Sequence, residues 1–253
     1  MSYGAAHAEL YDSVFRSRGK DFEAEAEGLN RLVRSRFPGA RSLLDVACGT
    51  GAHLERLAEH FEHVEGLDHS PAMRDVARGR LPGVAVHAGD MRDFELDRTF
   101  DVVVCMGSGL AEAESPEQVA GSVARMSAHL APGGVLIVEP WYFPDNFLDG
   151  HAAGHLFRED GRVVSRLTHS ARHGDRSRVE IRFTIVDSAG FREFSDVVVK
   201  YLLTREQYEA AFERAGCTAE FVPGFSLADG RPNSPGLFVG VRAGSPTRAD
   251  LST

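Results

Sequence analysis

The sequence predicts an α/β fold with helices on both faces of a mostly parallel sheet. From residue 42 onward, short β-rich apolar runs alternate with longer amphipathic stretches, which is the pattern of βαβ units. A glycine-rich turn, Gly49-Thr50-Gly51, directly follows the first of these runs. After Pro140 the chain changes to alternating apolar and polar residues, which predicts an antiparallel β meander after the fifth strand.

The predicted elements follow in chain order. Residues 7–36 form two helical pieces with a break near Gly19, and we expect them to lie over the carboxyl edge of the sheet as a lid. The core strands are predicted at Ser42–Ala47, His63–Asp68, Val84–Ala88, Phe100–Met106 and Gly134–Glu139. The helices between them are predicted at Gly51–His60, Pro71–Arg80 and Pro116–Leu130.

Turn signals divide the second half of the chain into four meander strands and a closing unit. The meander strands are predicted at Ala152–Phe157, Arg162–Ala171, Arg178–Asp187 and Arg192–Leu203. A capped helix over Thr204–Ala215 precedes a strand pair at Cys217–Pro223 and Gly236–Val241. The predicted organisation is a helical lid (1–40), a ligand-binding core (41–140), a β elaboration (141–203), a closing unit (204–243) and a flexible tail (244–253).

Composition and charge exclude several function classes. The chain has 253 residues, 43% of them hydrophobic, which is typical of one folded domain. Its net charge of −9 argues against non-specific binding to nucleic acid or to an acidic membrane. The three cysteines and eleven histidines have no metal-ligand spacing, so we expect no catalytic metal. No apolar run approaches the roughly 20 residues of a membrane helix, and we expect a cytoplasmic protein with reduced thiols.

Acidic residues at successive strand ends predict an adenosine pocket. Asp68 ends the second strand, about 20 residues past the glycines, where a carboxylate can bind both ribose hydroxyls. Asp90 and Met91 follow the third strand, where they can bind the adenine amine and pack on the ring. The first turn lacks the third glycine of a dinucleotide loop, which favours a ligand without a pyrophosphate.

The segment Asp45-Val-Ala-Cys-Gly-Thr-Gly51 resembles motif I of the class I S-adenosylmethionine-dependent methyltransferases, with alanine in the acidic place. The resemblance implies a Rossmann-like sheet and S-adenosylmethionine as the cofactor. By position in the motifs, it also implies a set of cofactor-binding residues. These are Ala47, Gly49 and Gly51 at the methionine and ribose, Asp68 at the ribose hydroxyls, Asp90 and Met91 at the adenine, and Met106 facing the methyl group.

A wider resemblance extends from His7 to Val241. The words HAELYD, RGKDF, SLLDVACGTG, GDMRDF, SAHLAPGG, VEPWYFP, FSDV and GLFVGV are similar to those of the sugar N-methyltransferases that act on nucleotide-linked amino sugars in antibiotic biosynthesis. This resemblance implies a dTDP-linked amino deoxysugar as the substrate, one or two methyl transfers, and a homodimer. Phe15 stands where that family has a tyrosine, and the loop Ser108–Glu114 also departs from its pattern, so both bear on the choice of acceptor.

Several side chains could have either a functional or a structural role. By its position in the family pattern, His129 is the candidate proton acceptor, although a histidine at a helix C-terminus often only compensates the helix dipole or packs in the core. Tyr11 is expected either to close over the cofactor and orient the amine or to pack on the sheet. Trp141 and Tyr142 form either a wall of the acceptor pocket or a buried aromatic cluster.

The meander offers seven arginines for the diphosphate of a nucleotide sugar, and most are expected to be solvated. We single out Arg166 and Arg178, because they lie on adjacent predicted strands and guanidinium groups bind phosphate in a bidentate manner. Two other functions stay open at this point. One is methyl transfer to another small hydroxyl or amine acceptor, and the other is a non-catalytic module that binds an adenosine ligand.

Overall fold

The computed structural model describes residues 4–224 and 236–244. The helices are α1 (Ala5–Ser17), α2 (Phe22–Arg34), α3 (Ala52–Leu57), α4 (Pro71–Arg80), α5 (Pro116–Ala128) and α6 (Arg205–Arg214), with a 3-10 helix at Gly109–Glu112. The core strands are β1 (Ser42–Val46), β2 (His63–Asp68), β3 (Ala85–Ala88), β4 (Phe100–Cys105) and β5 (Leu130–Val138). They are followed by β6 (Ala152–Glu159), β7 (Arg162–His173), β8 (Arg176–Asp187), β9 (Gly190–Tyr201), β10 (Cys217–Val222) and β11 (Leu237–Arg242).

The strands form two sheets, which confirms the predicted fold class. The seven-stranded sheet has the order β10-β11-β5-β4-β1-β2-β3, with β1 to β5 parallel and β11 antiparallel to β5. Strands β6 to β9 form a separate antiparallel sheet in chain order. Because the carboxyl ends of parallel strands share one edge, the turns after β1, β2, β4 and β5 meet at the same side of the core.

Helices cover both faces of the larger sheet. In β4, Val103 packs in one apolar cluster with residues of α5 and α6, whereas Val102 and Val104 pack in a second cluster with residues of α2 and α3. Successive side chains of a strand point to opposite faces, so this division places one helix layer on each face. All three valines are fully buried, as expected for a sheet covered on both sides.

Side-chain caps explain where several helices begin. Ser70 and Ser115 accept hydrogen bonds from the backbone three residues further on, and each is followed by a proline at the first helical turn. Thr204 and Gln207 form a capping box at the start of α6. These caps confirm the predicted starts of α4, α5 and α6.

The structure corrects the predicted start of β5. The sequence Ala-Pro-Gly-Gly at 131–134 predicted a turn before the strand, but β5 begins at Leu130, which pairs with Phe100 of β4. The register shifts between Phe100 and Val102, so the proline and the glycines lie within an irregular stretch of the strand.

Helix α1 lies between the two sheets. Its apolar residues Leu10 and Val14 pack with Phe183 and other buried residues of the antiparallel sheet, while Asp12 contacts the core. Within the described ranges, no helix is long and apolar enough to cross a membrane. The flexible tail predicted after residue 244 lies outside the described residues.

Candidate active site

A cavity of about 490 Å³ lies between the carboxyl edge of the parallel sheet, helix α1 and the antiparallel sheet. Its core side includes the turn after β1 and the residues that follow β4 and β5. Its opposite wall is the inward face of β6 to β9. Of the residues predicted from sequence, the cavity is lined by Tyr11, Phe15, Ala47, Gly49, Met106, Trp141, Tyr142 and Arg166.

The turn after β1 has a backbone that favours small residues. Ala47, Gly49 and Gly51 all have positive φ angles, of 58°, 56° and 74°. A Cβ on Gly51 would approach the Cβ of Ala77 at 3.2 Å, so glycine here allows α4 to pack closely. A Cβ on Gly49 would meet no atom within 4 Å, because this glycine faces open space at the cavity. The turn therefore presents backbone that a ligand can approach closely.

Asp68 holds the same turn from the end of β2. Its carboxylate accepts hydrogen bonds from the backbone N–H of Gly49 at 2.9 Å and of Ser70 at 2.8 Å. The side chain is buried, and each carboxylate oxygen can accept further hydrogen bonds. Asp68 thus sits beside the glycine turn, as the adenosine pocket requires.

The structure places Asp90 and Met91 beyond the lining of the main cavity. Arg92 binds both carboxylate oxygens of Asp90, and its hydrogen bonds keep the pKa of that carboxyl below its usual value. Met91 is partly buried against the core cluster that contains Phe94. An adenine ring at this position would therefore meet a carboxylate that already has a cationic partner.

Four charged or titratable side chains cluster at the end of the cavity near β5, and sequence reasoning missed them. The Lys20 ammonium lies 3.0 Å from Glu25 and 4.0 Å from Glu139, and His53 shares a 2.7 Å hydrogen bond with Glu25. All four are buried. Glu139 also accepts a 2.7 Å hydrogen bond from the backbone N–H of Gly107. The available signals were Lys20, one of two lysines in the chain, and Glu139 at the end of a parallel strand.

Buried cations and acids at one end of a cavity are suited to a zwitterionic ligand. Burying charge is costly unless an opposite charge lies nearby. A ligand with both a carboxylate and an ammonium, such as the methionine part of S-adenosylmethionine, offers both charges at once. The residues present therefore fit this cofactor.

Tyr11 and Phe15 lie one helical turn apart on the cavity face of α1, with ring centroids 4.7 Å apart. The Tyr11 hydroxyl is 3.6 Å from the position that a Cβ on Gly107 would take. Burial and the nearby carboxylates of Glu112 and Glu139 raise the pKa of Tyr11, so its hydroxyl keeps its hydrogen at neutral pH. Tyr11 is therefore a hydrogen-bond donor at the point where β4 meets the cavity.

Trp141 is held by the antiparallel sheet. Its indole N–H donates to the Ser177 hydroxyl at 2.9 Å, and the Lys200 ammonium lies 5.3 Å from the centre of its ring. Lys200 also donates to the backbone oxygen of Ser108 at 2.7 Å and lies 3.6 Å from Glu112. The loop after β4 is thus attached to β9 through a buried lysine, which sequence reasoning also missed.

His7 connects α1 to the same sheet. Its Nδ1 lies 2.8 Å from a carboxylate oxygen of Asp196, and its side chain is only 12% exposed. The ring packs edge-on against Phe183 at a centroid distance of 5.8 Å. Burial lowers the pKa of His7 more than Asp196 raises it.

The structure contradicts the role predicted for His129. This residue lies before β5, at the amino edge of the sheet, where its carbonyl accepts from Phe100 at the start of β4. One ring nitrogen accepts from the backbone N–H of Leu96 at 3.0 Å, and the other lies 2.8 Å from the carbonyl of Arg125. The cavity lies at the opposite edge, and both nitrogens are bonded to backbone, so His129 stabilises the turn.

The two arginines singled out from the sequence lie on opposite faces of the antiparallel sheet. On β8 the inward residues include Val179, Ile181 and Phe183, so Arg178 points outward, where it forms an ion pair with Glu180. This contradicts the phosphate role predicted for Arg178. Arg166 pairs in register with Phe183 and lines the cavity.

Arg166 forms no hydrogen bond or ion pair with any residue in the described part of the chain. Burial and the positive charge of Arg18 lower its pKa to about 10. Both guanidinium groups line the cavity, so their mutual repulsion favours an anionic ligand between them.

Comparison with known proteins agrees with this arrangement. The methyltransferase domain family matches residues 43–134. The chain is 45% identical over 240 residues to dTDP-4-amino-2,3,4,6-tetradeoxy-D-glucose N,N-dimethyltransferase of Saccharopolyspora spinosa, covering 95% of this chain and 94% of the relative. It is 47% identical over 242 residues to dTDP-3-amino-3,4,6-trideoxy-alpha-D-glucopyranose N,N-dimethyltransferase of Streptomyces venezuelae, covering 95% and 100%.

A solved structure extends the comparison to the fold. The S-adenosylmethionine-bound amino pentose methyltransferase of calicheamicin biosynthesis from Micromonospora echinaspora superimposes with a TM-score of 0.84 at 48% identity, covering 92% of this chain and 97% of that one. The sequence identity therefore covers nearly the full length of the chain and is not confined to the glycine turn. The chain belongs to the S-adenosylmethionine-dependent N-methyltransferases of dTDP-linked amino sugars.

Proposed function

We propose that this protein transfers a methyl group, once or twice, from S-adenosylmethionine to the amine of a dTDP-linked amino deoxysugar in antibiotic biosynthesis. The observation that carries the proposal is the single cavity that joins the glycine turn of the core to the cationic wall at Arg166. One end suits an adenosine and methionine ligand, and the other suits a diphosphate. The methyl donor and a nucleotide sugar can therefore meet within one cavity.

Several residues are suited to hold the cofactor, which supplies a methyl group activated by its sulfonium. Lys20 is a buried cation suited to the methionine carboxylate, and Glu139 is an acid suited to the ammonium. Asp68 is suited to the ribose hydroxyls beside Gly49. Asp90 and Met91 remain the candidates for the adenine, and Ala47, Gly51 and Met106 complete the proposed cofactor set.

The acceptor amine belongs near Tyr11 and Gly107, where the loop after β4 enters the cavity. Phe15, Trp141 and Tyr142 provide the aromatic walls that exclude water there. Alignment of an amine lone pair with the bond being broken can lower the barrier by about 7–11 kcal/mol. An apolar wall also favours the neutral amine, because burial disfavours the charged form.

The diphosphate belongs at Arg166 and Arg18. Arg166 has no carboxylate partner within the described residues, and two cationic groups close together gain most from a ligand with two negative charges. The inward side chains of Thr168 and Ser170 on the same strand add hydroxyl groups to this wall.

Mass spectrometry of the protein incubated with S-adenosylmethionine and a panel of dTDP-3-amino and dTDP-4-amino deoxysugars tests the proposal. We expect at least one product heavier by one or two methyl groups. The same sugars without dTDP serve as a matched control and should react poorly, because the contacts to Arg166 are then lost. Turnover of the unlinked sugars alone, or of none of the panel, would refute the proposed substrate class.

We further propose that the protein is a homodimer and acts in the cytoplasm. The outward face of the antiparallel sheet exposes Leu156, Leu167 and Phe191 at 65%, 56% and 79%, which supports contact with a second copy. The three cysteines are buried free thiols, as is usual in a reducing compartment. Light scattering should give twice the 27.5 kDa chain mass, and Leu167→Glu should lower it, whereas Thr99→Glu, in the exposed loop before β4 and away from this sheet, should not.

A further inference from the structure

His7 lines the cavity one helical turn before Tyr11, with ring centroids 6.1 Å apart. Tyr11 in turn reaches the backbone of Gly107 after β4. The three residues therefore follow one another from the wall of the antiparallel sheet to the proposed site of methyl transfer. His7 is thus an imidazole on the acceptor side of that site.

The contact with Asp196 determines which ring nitrogen carries the hydrogen. An ionised carboxylate can only accept hydrogen bonds, so the 2.8 Å contact requires a hydrogen on Nδ1 of His7. In the neutral ring, the lone pair is then on Nε2. A histidine that is oriented by a carboxylate through Nδ1 is the usual arrangement of a general base.

Groups from each packed element set the charge of this imidazole. Strand β9 contributes the negative charge of Asp196, β7 contributes the positive charge of Arg166, and β8 contributes only apolar contact through Phe183. On α1 itself, the neighbouring titratable group is Tyr11, which stays neutral. Burial is the largest effect and lowers the pKa of His7, so the ring is neutral and able to accept a proton at neutral pH.

Resting on the proposed function, we propose that His7 is the catalytic proton acceptor for the sugar amine. An alkylammonium titrates near the lysine pKa of about 10.4, so the acceptor enters mainly with a proton that must leave before attack. The N–H bond of the ammonium breaks, its electron pair stays on the amine nitrogen, and a new N–H bond forms at Nε2 of His7. The imidazolium then gives its proton to water.

The same step is needed again for a second transfer. A primary amine that has gained a methyl group is a secondary ammonium, and it cannot accept another methyl group until it loses a proton. Other titratable groups at the cavity are less suited, because His53 is bonded to Glu25 and Glu139 accepts from Gly107. His155 shares a 3.0 Å hydrogen bond with the Ser17 hydroxyl, and His151 is exposed to solvent. Tyr11 carries its own hydrogen at neutral pH.

The test compares His7→Asn, whose amide N–H can still donate to Asp196, with His169→Asn, an exposed histidine on the outward face of β7. With the dTDP-amino sugar that the wild-type protein methylates, we expect kcat at pH 7 to fall about 100-fold in His7→Asn. The wild-type rate should be nearly flat above neutral pH, whereas the variant rate should rise about tenfold per pH unit as the fraction of neutral amine increases. Monomethyl product should accumulate in the variant, and His169→Asn should match the wild type.

Two further measurements separate a catalytic role from a structural one. Imidazole added to His7→Ala should restore part of the rate, which a purely structural role would not allow. Nitrogen-15 NMR of histidine-labelled wild-type protein should show a neutral His7 with its hydrogen on Nδ1 and a pKa below 6.5. This measurement needs no sugar, so it applies even if the whole panel fails. A hydrogen on Nε2, or an unchanged rate and pH profile in His7→Asn, would overturn the assignment.

Discussion

The Thr50 hydroxyl donates a 2.6 Å hydrogen bond to Asp12, which joins helix α1 to the turn that follows β1. The second carboxylate oxygen of Asp12 forms an ion pair with Arg80 at the end of α4. Because α1 also packs on the antiparallel sheet through Leu10 and Val14, this one carboxylate links the core to the sheet that lines the opposite side of the cavity. We therefore expect the position of α1 beside the glycine turn to depend on Asp12.

Asp12→Asn should weaken cofactor binding. The variant loses the charge of a partly buried carboxylate, and Arg80 then keeps only its longer contact with Glu55 at 3.9 Å. Hydrogen bonds to charged groups contribute about 1.5–3 kcal/mol, so the Kd for S-adenosylmethionine should rise roughly tenfold or more by calorimetry. Asp75→Asn on α4 is the matched control, because Asp75 is 77% exposed. Equal Kd values for the two variants would show that Asp12 does not hold the lid.

Arg166→Gln should affect the nucleotide sugar and not the cofactor. We expect KM for the dTDP-sugar to rise about 10–100-fold, because the cavity-lining guanidinium that we propose for the diphosphate is lost. KM for S-adenosylmethionine should change little. Arg178→Gln removes the same group from the outward face and should leave both constants unchanged. If Arg178→Gln has the larger effect, the assignment of the two faces is wrong.

Much of the fold could be predicted because local patterns and tertiary structure agree. The change from βαβ units to period-two alternation marked the boundary between the sheets, and serine and threonine caps marked the helix starts. The start of β5 could not be predicted, because the Pro-Gly-Gly stretch at 132–134 has the local signature of a turn. Pairing with β4 overrides that local preference.

Site residues at the end of a single strand could be predicted from the sequence. Site residues that are brought together from several helices and loops could not. Asp68 follows from its place at the end of β2, but the cluster of Lys20, Glu25 and His53 joins two helices with the loop before α2. Its members have no common spacing in the sequence. The phosphate role predicted for Arg178 was wrong because this residue lies between the inward positions Ser177 and Val179 of β8. A shift of one residue along a strand moves a side chain to the other face of the sheet.

Asp68→Asn should weaken cofactor binding through the ribose. We expect the Kd for S-adenosylhomocysteine to rise at least tenfold, because a charged acceptor beside Gly49 becomes a neutral amide. The 2′-deoxy analogue should lose affinity with the wild type but lose much less with the variant. Equal losses with both proteins would mean that Asp68 only supports the turn through Gly49 and Ser70.

Glu25→Gln should destabilise the protein by about 3 kcal/mol at pH 7, because Lys20 would be left buried without its nearest carboxylate. Burial raises the pKa of Glu25, but the hydrogen bond from His53 and the charges of His53 and Lys20 lower it more, so the net value is below the usual 4.5. The stabilisation by Glu25 is therefore complete above pH 4.5 and is lost as the pH falls through the lower folded-state pKa. Urea unfolding of the cofactor-free protein should show the difference from wild type shrinking over that range. Glu23→Gln, an exposed change in the same helical turn, should alter stability by less than about 1 kcal/mol at every pH. A Glu25→Gln deficit that stayed constant with pH would assign the loss to packing instead of charge.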